Sequence, residues 1–403
     1  MIAAPAVGAI LLASVSLYAI LGGADFGGGL WDLLAGGDRR GSAPRRLIDD
    51  TITPVWEGNH VWLVFDLVIF WTAFPHAFAA VMIALALPLW LALAGIVLRG
   101  AGFAFRKEVR SLSLQRLFGA IFAFSSLMAP FFMGTVIGAI ATGQVPANAS
   151  QASLSAWTGT MPLLTGFLFV GACGYLAAVY LVGEAARGGD AALEAYFTRR
   201  AWASGIVTGA LSLGALAALH TSDLPLYDRL TGRALALVIV AAVFGVAVVA
   251  LLTFGRRGTL VVTGARVLAA LGVAAVVWGW GVAQYPVLLP GTGVTLSNAG
   301  APDATLVAII VLFGVAVVVV GPSFALLFWL HGRRVLNPDD GGTLTAAGAG
   351  GGVGGGVVGG TLGGTAALAA VRPAAERPGG RASLFGLVAV AALVRAAIRR
   401  RNR

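Results

Sequence analysis

Six ionisable side chains and one amide stand in stretches otherwise too apolar for water, and their types are those that hold and pass protons. Asp25 lies in Gly22-Gly23-Ala24-Asp25-Phe26-Gly27-Gly28-Gly29. Asp32 follows seven residues later, about 20° away on the same helical face. A second group lies in Pro54-Val55-Trp56-Glu57-Gly58-Asn59-His60-Val61-Trp62, where Glu57 and His60 are three apart and share a face. Asp66 is nine residues beyond Glu57, about half a rotation away on a different surface. Arg99 closes a later apolar run. A charge at the centre of a bilayer costs about 2.5 to 3.5 kcal/mol, so each such group asks for a partner, a water path or a role.

The elements that must position these groups follow from composition. Of 403 residues, 58% are hydrophobic and 11% charged, and the mean hydropathy is +0.90. A soluble domain sits nearer half apolar and a quarter charged. This excludes a water-soluble enzyme and a disordered chain, and a single cysteine, Cys173, excludes a disulfide scaffold. The net charge of +10 reads as loop charge facing anionic lipid and not as a nucleic-acid surface.

A helix crossing about 30 Å of hydrocarbon needs roughly 20 apolar residues, which predicts an all-α, polytopic membrane protein of nine transmembrane helices. The runs are 6–34, 55–74, 77–98, 117–142, 161–183, 201–219, 234–254, 267–284 and 305–331. Nine spans place 25 of the 27 basic residues on one side and only Arg229 and Arg233 on the other. The positive-inside rule therefore predicts an N-terminus outside and a C-terminus in the cytoplasm. In that frame the late first helix, the early second and the late third lie towards the cytoplasm, so Asp25, Glu57, His60 and Arg99 can converge there beside cytoplasmic water. Residues 1–335 are expected to form the membrane domain, 336–383 a Gly/Ala-rich linker and 384–403 a short basic amphipathic tail at the membrane surface.

Structural roles compete with functional ones. Asp25 and Arg99 could be only an ion pair between neighbouring helices. His60, without a second ligand at suitable spacing, reads as a packing residue before it reads as a metal or haem ligand. The glycines around Asp25 permit close helix contact or local unwinding, and they lack the Lys-Ser/Thr ending of a phosphate loop.

Gly23-Ala24-Asp25-Phe26-Gly27-Gly28-Gly29, the block from Pro54 to Leu63, Phe74-Pro75, Leu98-Arg99-Gly100 to Phe105-Arg106, Tyr285-Pro286 and Thr295-Leu296-Ser297-Asn298-Ala299 resemble subunit II of the cytochrome bd quinol oxidases, in order from about residue 8 to 335. The Trp-Glu-Gly-Asn-His block is the specific part. The resemblance implies a nine-helix subunit of a bacterial plasma (inner) membrane complex that oxidises quinol, reduces O2 to water and takes protons from the cytoplasm. It implies haem b and haem d, or b alone, ligated in a partner subunit I, with quinone, lipid and small single-helix accessory subunits as further partners. No metal or cofactor is then expected in this chain. Glu57 matches the carboxylate of the family's Trp-carboxylate-Gly-Asn motif, implicated in a proton path; Asp25 and Arg99 match the family's first-helix aspartate and third-helix arginine. Glu57, Asp25 and His60 are thus the expected proton path, with Arg99, Trp56, Asn59 and Asp66 in support. Asp66 departs from the expected small or apolar residue. A proton-coupled secondary transporter using the same carboxylates and a purely structural membrane subunit are the alternatives.

Overall fold

The computed structural model describes residues 3–52, 56–222, 224–255 and 258–332; the expected linker and basic tail lie outside them. In chain order the elements are α1 (Ala3–Leu33), α2 (Asp38–Ile52), α3 (Trp56–Ala73), α4 (Pro75–Ala84), α5 (Ala86–Glu108), α6 (Leu112–Ala141), α7 (Ser155–Thr158), α8 (Thr160–Arg187) and α9 (Ala191–Thr221). They continue with α10 (Pro225–Thr231), α11 (Leu235–Phe254), α12 (Thr259–Gln284), β1 (Val287–Leu289), β2 (Val294–Thr295), α13 (Leu296–Ala299) and α14 (Asp303–Gly332). Among the described residues eight helices are long and apolar enough to cross a membrane, or nine if α3 and α4 count as one bent span. The all-α, polytopic architecture is therefore as the composition requires.

The third expected span, 77–98, is where sequence and structure part. The chain turns by 119° between α3 and α4, and the long helix that follows is α5, starting at Ala86. Pro75 has no N–H to continue the ladder of α3 and disfavours the helical region for the residue before it. Phe74 accordingly sits at φ −134°, ψ 59°, and Pro75 opens α4 in the first turn, where the missing donor is harmless. Helices also outrun their apolar runs. α9 starts ten residues before the expected 201, because Asp190 Oδ1 accepts from the Ala192 and Leu193 amides at 3.0 and 2.9 Å and caps its first turn.

α8 is the centre of the bundle and packs on α1, α6, α9 and α12. Lipid supplies no hydrophobic drive between helices, so close backbone approach at small residues has to supply contact. At Gly27 of α1 a Cβ would lie 1.9 Å from the Cys173 carbonyl oxygen of α8, and at Gly134 of α6 one would lie 2.6 Å from the Thr165 carbonyl oxygen. α1 is unbroken from Ala3 to Leu33, so its glycines serve packing and not unwinding. Trp31 Nε1 ties the same pair of helices by donating to Gly174 O at 2.8 Å.

The connection after α1 is helical, although residues 38–52 are too polar to stand out as an apolar run. α2 buries Ile48 completely and is held by charge. Asp32 Oδ2 accepts from Arg106 Nη1 at 2.8 Å and its Oδ1 faces Arg45 Nε at 3.2 Å. Arg106 also pairs with Asp49. At the other end of the bundle, residues 285–302 form a folded cap: the β1–β2 hairpin, with Gly291 and Gly293 at φ 78° and 76° in its turn, then α13. Leu289, Leu296 and Ala299 of the cap share a core with Val7, Phe74 and Leu85. The Ala301 amide donates to Ala73 O at 2.8 Å, satisfying a carbonyl freed where α3 stops.

α13 starts with a capping box, Thr295 N donating to Asn298 Oδ1 at 2.7 Å and Asn298 N to Thr295 Oγ1 at 3.4 Å. Thr295→Val is expected to cost about 1 kcal/mol, read as a lowered Tm of the full chain in detergent. An unchanged Tm would mean that packing alone holds the cap.

Candidate functional site

α1, α3 and α5 bring three buried polar side chains together. Asp25 of α1 is 5% exposed, Asn59 of α3 2% and Arg99 of α5 1%. Asn59 Nδ2 donates to Asp25 Oδ2 at 2.5 Å, and it lies 3.4 Å from Leu21 O. The Arg99 guanidinium lies over two rings, 5.1 Å from the centroid of Phe26 and 5.5 Å from that of Phe122 on α6. Among the described residues no ion pair within 4.0 Å joins Arg99 to Asp25. In place of a closed ion pair the carboxylate bonds an amide, with a cation resting on aromatic faces nearby. The physical reason is reach: Asn59 faces Asp25 directly, and Phe26 and Phe122 take the guanidinium faces.

His60 sits against the same group. Its ring stacks on Phe26 at 5.9 Å and 27°, and meets Tyr18 edge-on at 6.1 Å. Phe26 therefore contacts both His60 and Arg99, an apolar plate shared by the two basic side chains. Asp66, half-buried, is seven residues from Asn59 and so shares its face; it turns towards Ser14 of α1. Trp56 and Glu57 lie in the first turn of α3, and their side chains are outside the described residues.

The ion-pair layer one heptad further along was not identified from sequence as a site. Asp25 and Asp32 are seven apart on α1, and Arg99 and Arg106 seven apart on α5. Equal spacing of opposite charges on two helices was the available signal, and Asp32 with Arg106 form the closed pair while Asp25 and Arg99 form the open one. Tyr18, 5% exposed, and Ser14, 1% exposed, were hidden among ordinary helix residues.

Asn59 can serve either protonation state of Asp25. Its amide donates to the carboxylate as it stands, and its Oδ1, without a hydrogen-bond partner among the described residues, can accept from the carboxylic acid once the amide turns over. Asn59→Ala is expected to cost about 1 to 3 kcal/mol by leaving a buried acceptor unpaired. Asn59→Ala added to Asp25→Asn should cost clearly less than the two single costs summed, measured as Tm in a double-mutant cycle. Full additivity would show that the two side chains do not interact.

Among the described residues no group of three His, Cys, Asp or Glu could hold a metal ion, and His60 is packed against Phe26 and Tyr18.

A bundle of apolar helices with carboxylate, amide and guanidinium buried at one helix junction defines a multi-pass membrane protein with a candidate proton-holding site. Residues 5–331 match the family described as cytochrome bd terminal oxidase subunit II, and the chain belongs to that family. It is 29% identical over 126 residues to cytochrome bd ubiquinol oxidase subunit 2 of Bacillus subtilis (strain 168), covering 31% of this chain and 36% of that one. It is 27% identical over 166 residues to cytochrome bd-I ubiquinol oxidase subunit 2 of Escherichia coli (strain K12), covering 41% of each. The matched stretches span well under half the length of these curated relatives. A chain in the structure of bd oxidase from Geobacillus thermodenitrificans has the same fold, with TM-score 0.68 and 23% identity over 83% of this chain and 99% of that one.

Proposed function

We propose that this chain is the non-haem subunit II of a bd-type quinol oxidase, in which it scaffolds a haem-bearing subunit I and supplies a proton path from the cytoplasm. Membership of the family supports the oxidase reading. The observation that carries the proton path is the buried Asp25 carboxylate bonded to Asn59, two residues from Glu57 in the first turn of α3. The N-terminus of α1 lies outside and the charged loops face the cytoplasm, as the distribution of arginine requires.

In this reading the haems of subunit I supply electron transfer from quinol to O2. Residues of this chain handle only protons. Glu57 takes a proton from cytoplasmic water, and Asp25 receives it at the carboxyl oxygens that face Asn59. His60 and Phe26 exclude bulk water from the junction, and the Arg99 guanidinium rests on the same Phe26 ring.

The test is a reduced-minus-oxidised optical spectrum of material purified through this chain in mild detergent from its host membranes. Haem b and d bands, or b alone, together with a second large polytopic subunit are expected. A haem-free preparation of this chain by itself, from membranes where the complex survives extraction, would overturn the reading and make a proton-coupled transporter the next hypothesis.

A further inference from the structure

Asp66 is a carboxylate in a membrane-spanning helix that the path through Glu57 and Asp25 does not use. Its neighbours on α3 are apolar and exposed, Val64, Leu67 and Val68 among them, so an apolar residue would fit that flank at no cost. Its polar neighbour is Ser14 Oγ of α1, close to Asp66 yet without a hydrogen bond of 3.5 Å or less. Asp66 Oδ1 likewise has no hydrogen-bond partner among the described residues. A purely structural aspartate would be expected to close such a bond, because an unmade one costs about 1 to 3 kcal/mol.

The same condition recurs along one seam. Tyr18 Oη, Asn59 Oδ1, and Arg99 Nε and Nη2 are all buried and without hydrogen-bond partners among the described residues. Tyr18 stands between Ser14 and Asp25 along α1, within electrostatic reach of Asp25, Asp66, Arg99 and Cys173. Gly22 makes this placement possible: a Cβ there would come within 2.8 Å of the Tyr18 ring. From Asp25 to Ser14 is eleven residues of α1, about 16 Å. Orphaned polar atoms at this density in a bilayer are satisfied by bound water or not at all.

We propose that the α1–α3 seam is hydrated and ends on Asp66, which stores a proton exchanged with Asp25 through water held at Tyr18 and Ser14. This rests on the proton-path reading and adds to it a second carboxylate nearer the middle of the membrane. In the transfer an O–H bond breaks at Asp25 and one forms on Asp66, with water molecules handing the proton along and the net charge of the seam unchanged. The charged and titratable groups along the seam are Asp25 and Tyr18 from α1, His60 from α3, Arg99 from α5 and Cys173 from α8.

The test is infrared difference spectroscopy of the full complex purified through this chain, following exchange of protonated-carboxyl C=O bands in D2O. Asp66→Asn should remove one band, and Asp66→Glu should shift it, which shows that the chain still folds. In Asp25→Asn and in Tyr18→Phe, which keeps the ring, the Asp66 band should persist but exchange at least about tenfold more slowly, as for loss of a proton-relay group. A spectrum unchanged by Asp66→Asn, or an Asp66 band whose exchange ignores both other variants, overturns the proposal. A Glu57 variant with normal turnover would instead overturn the proton-path reading and leave the exchange result standing.

Discussion

Glu57→Gln in the assembled complex is expected to lower O2 consumption by about a hundredfold or more, the usual range for losing a proton-transferring side chain, while haem content and subunit ratio stay at the wild-type level. The substitution keeps size and hydrogen bonding and removes only the ability to ionise. Glu57 lies in the first turn of α3, whose next turn places Asn59 on Asp25 and His60 on Phe26; a proton released there is within a few residues of a buried carboxylate. Asp25→Asn should give a loss of the same order, since the Asn59 contact survives as amide to amide while the proton site does not. Oxygen uptake with excess quinol, normalised to haem, decides the matter. If haem is lost along with turnover, Glu57 is structural; if turnover is unaffected, the path lies elsewhere.

Gly27→Val should prevent the chain from accumulating in the membrane. A Cβ at Gly27 would stand 1.9 Å from the Cys173 carbonyl oxygen, 2.4 Å from its carbonyl carbon and 2.7 Å from the Ala177 Cβ. Those first two atoms are backbone of the central helix and cannot rotate away, so α1 and α8 must separate. Overpacking costs about 1 to 3 kcal/mol where side chains can yield and more where they cannot, a large part of the 5 to 15 kcal/mol that holds a typical fold. The separation also displaces Phe26, the plate between His60 and Arg99. Gly214→Ala on α9, where an added Cβ meets nothing within 4 Å, is the control and should leave yield unchanged or raise it. Equal yields of the two variants, measured in the membrane fraction, would show that the α1–α8 contact is not needed for folding.

Both predictions start from residues that stand out in the sequence, but for different reasons. Asp25, Glu57, His60, Asp66 and Arg99 are visible because a bilayer makes every charge costly, so the few that remain inside apolar runs identify themselves. The apolar segments are legible for the same reason. Pro75 is visible too, although in the sequence it marks only the gap between the runs 55–74 and 77–98. That the chain turns by 119° at Phe74 and recovers a long helix at Ala86 depends on what the turn packs against, including the cap whose Ala301 amide takes the free Ala73 carbonyl.

Helix periodicity gives the face on which a side chain lies but not the partner that face meets, and this divides the rest. Sequence alone determined an all-α membrane bundle, the polar residues inside it and which of them lie on one side of a helix. Only the tertiary structure decided that Asp25 bonds Asn59 while Arg99 rests on Phe26 and Phe122, that Asp32 and Arg106 close the ion pair one heptad on, and that Asp66 turns towards Ser14. Those choices are set by how closely α1, α3, α5, α6 and α8 approach one another. That approach is fixed by glycines such as Gly27, which have no chemistry of their own.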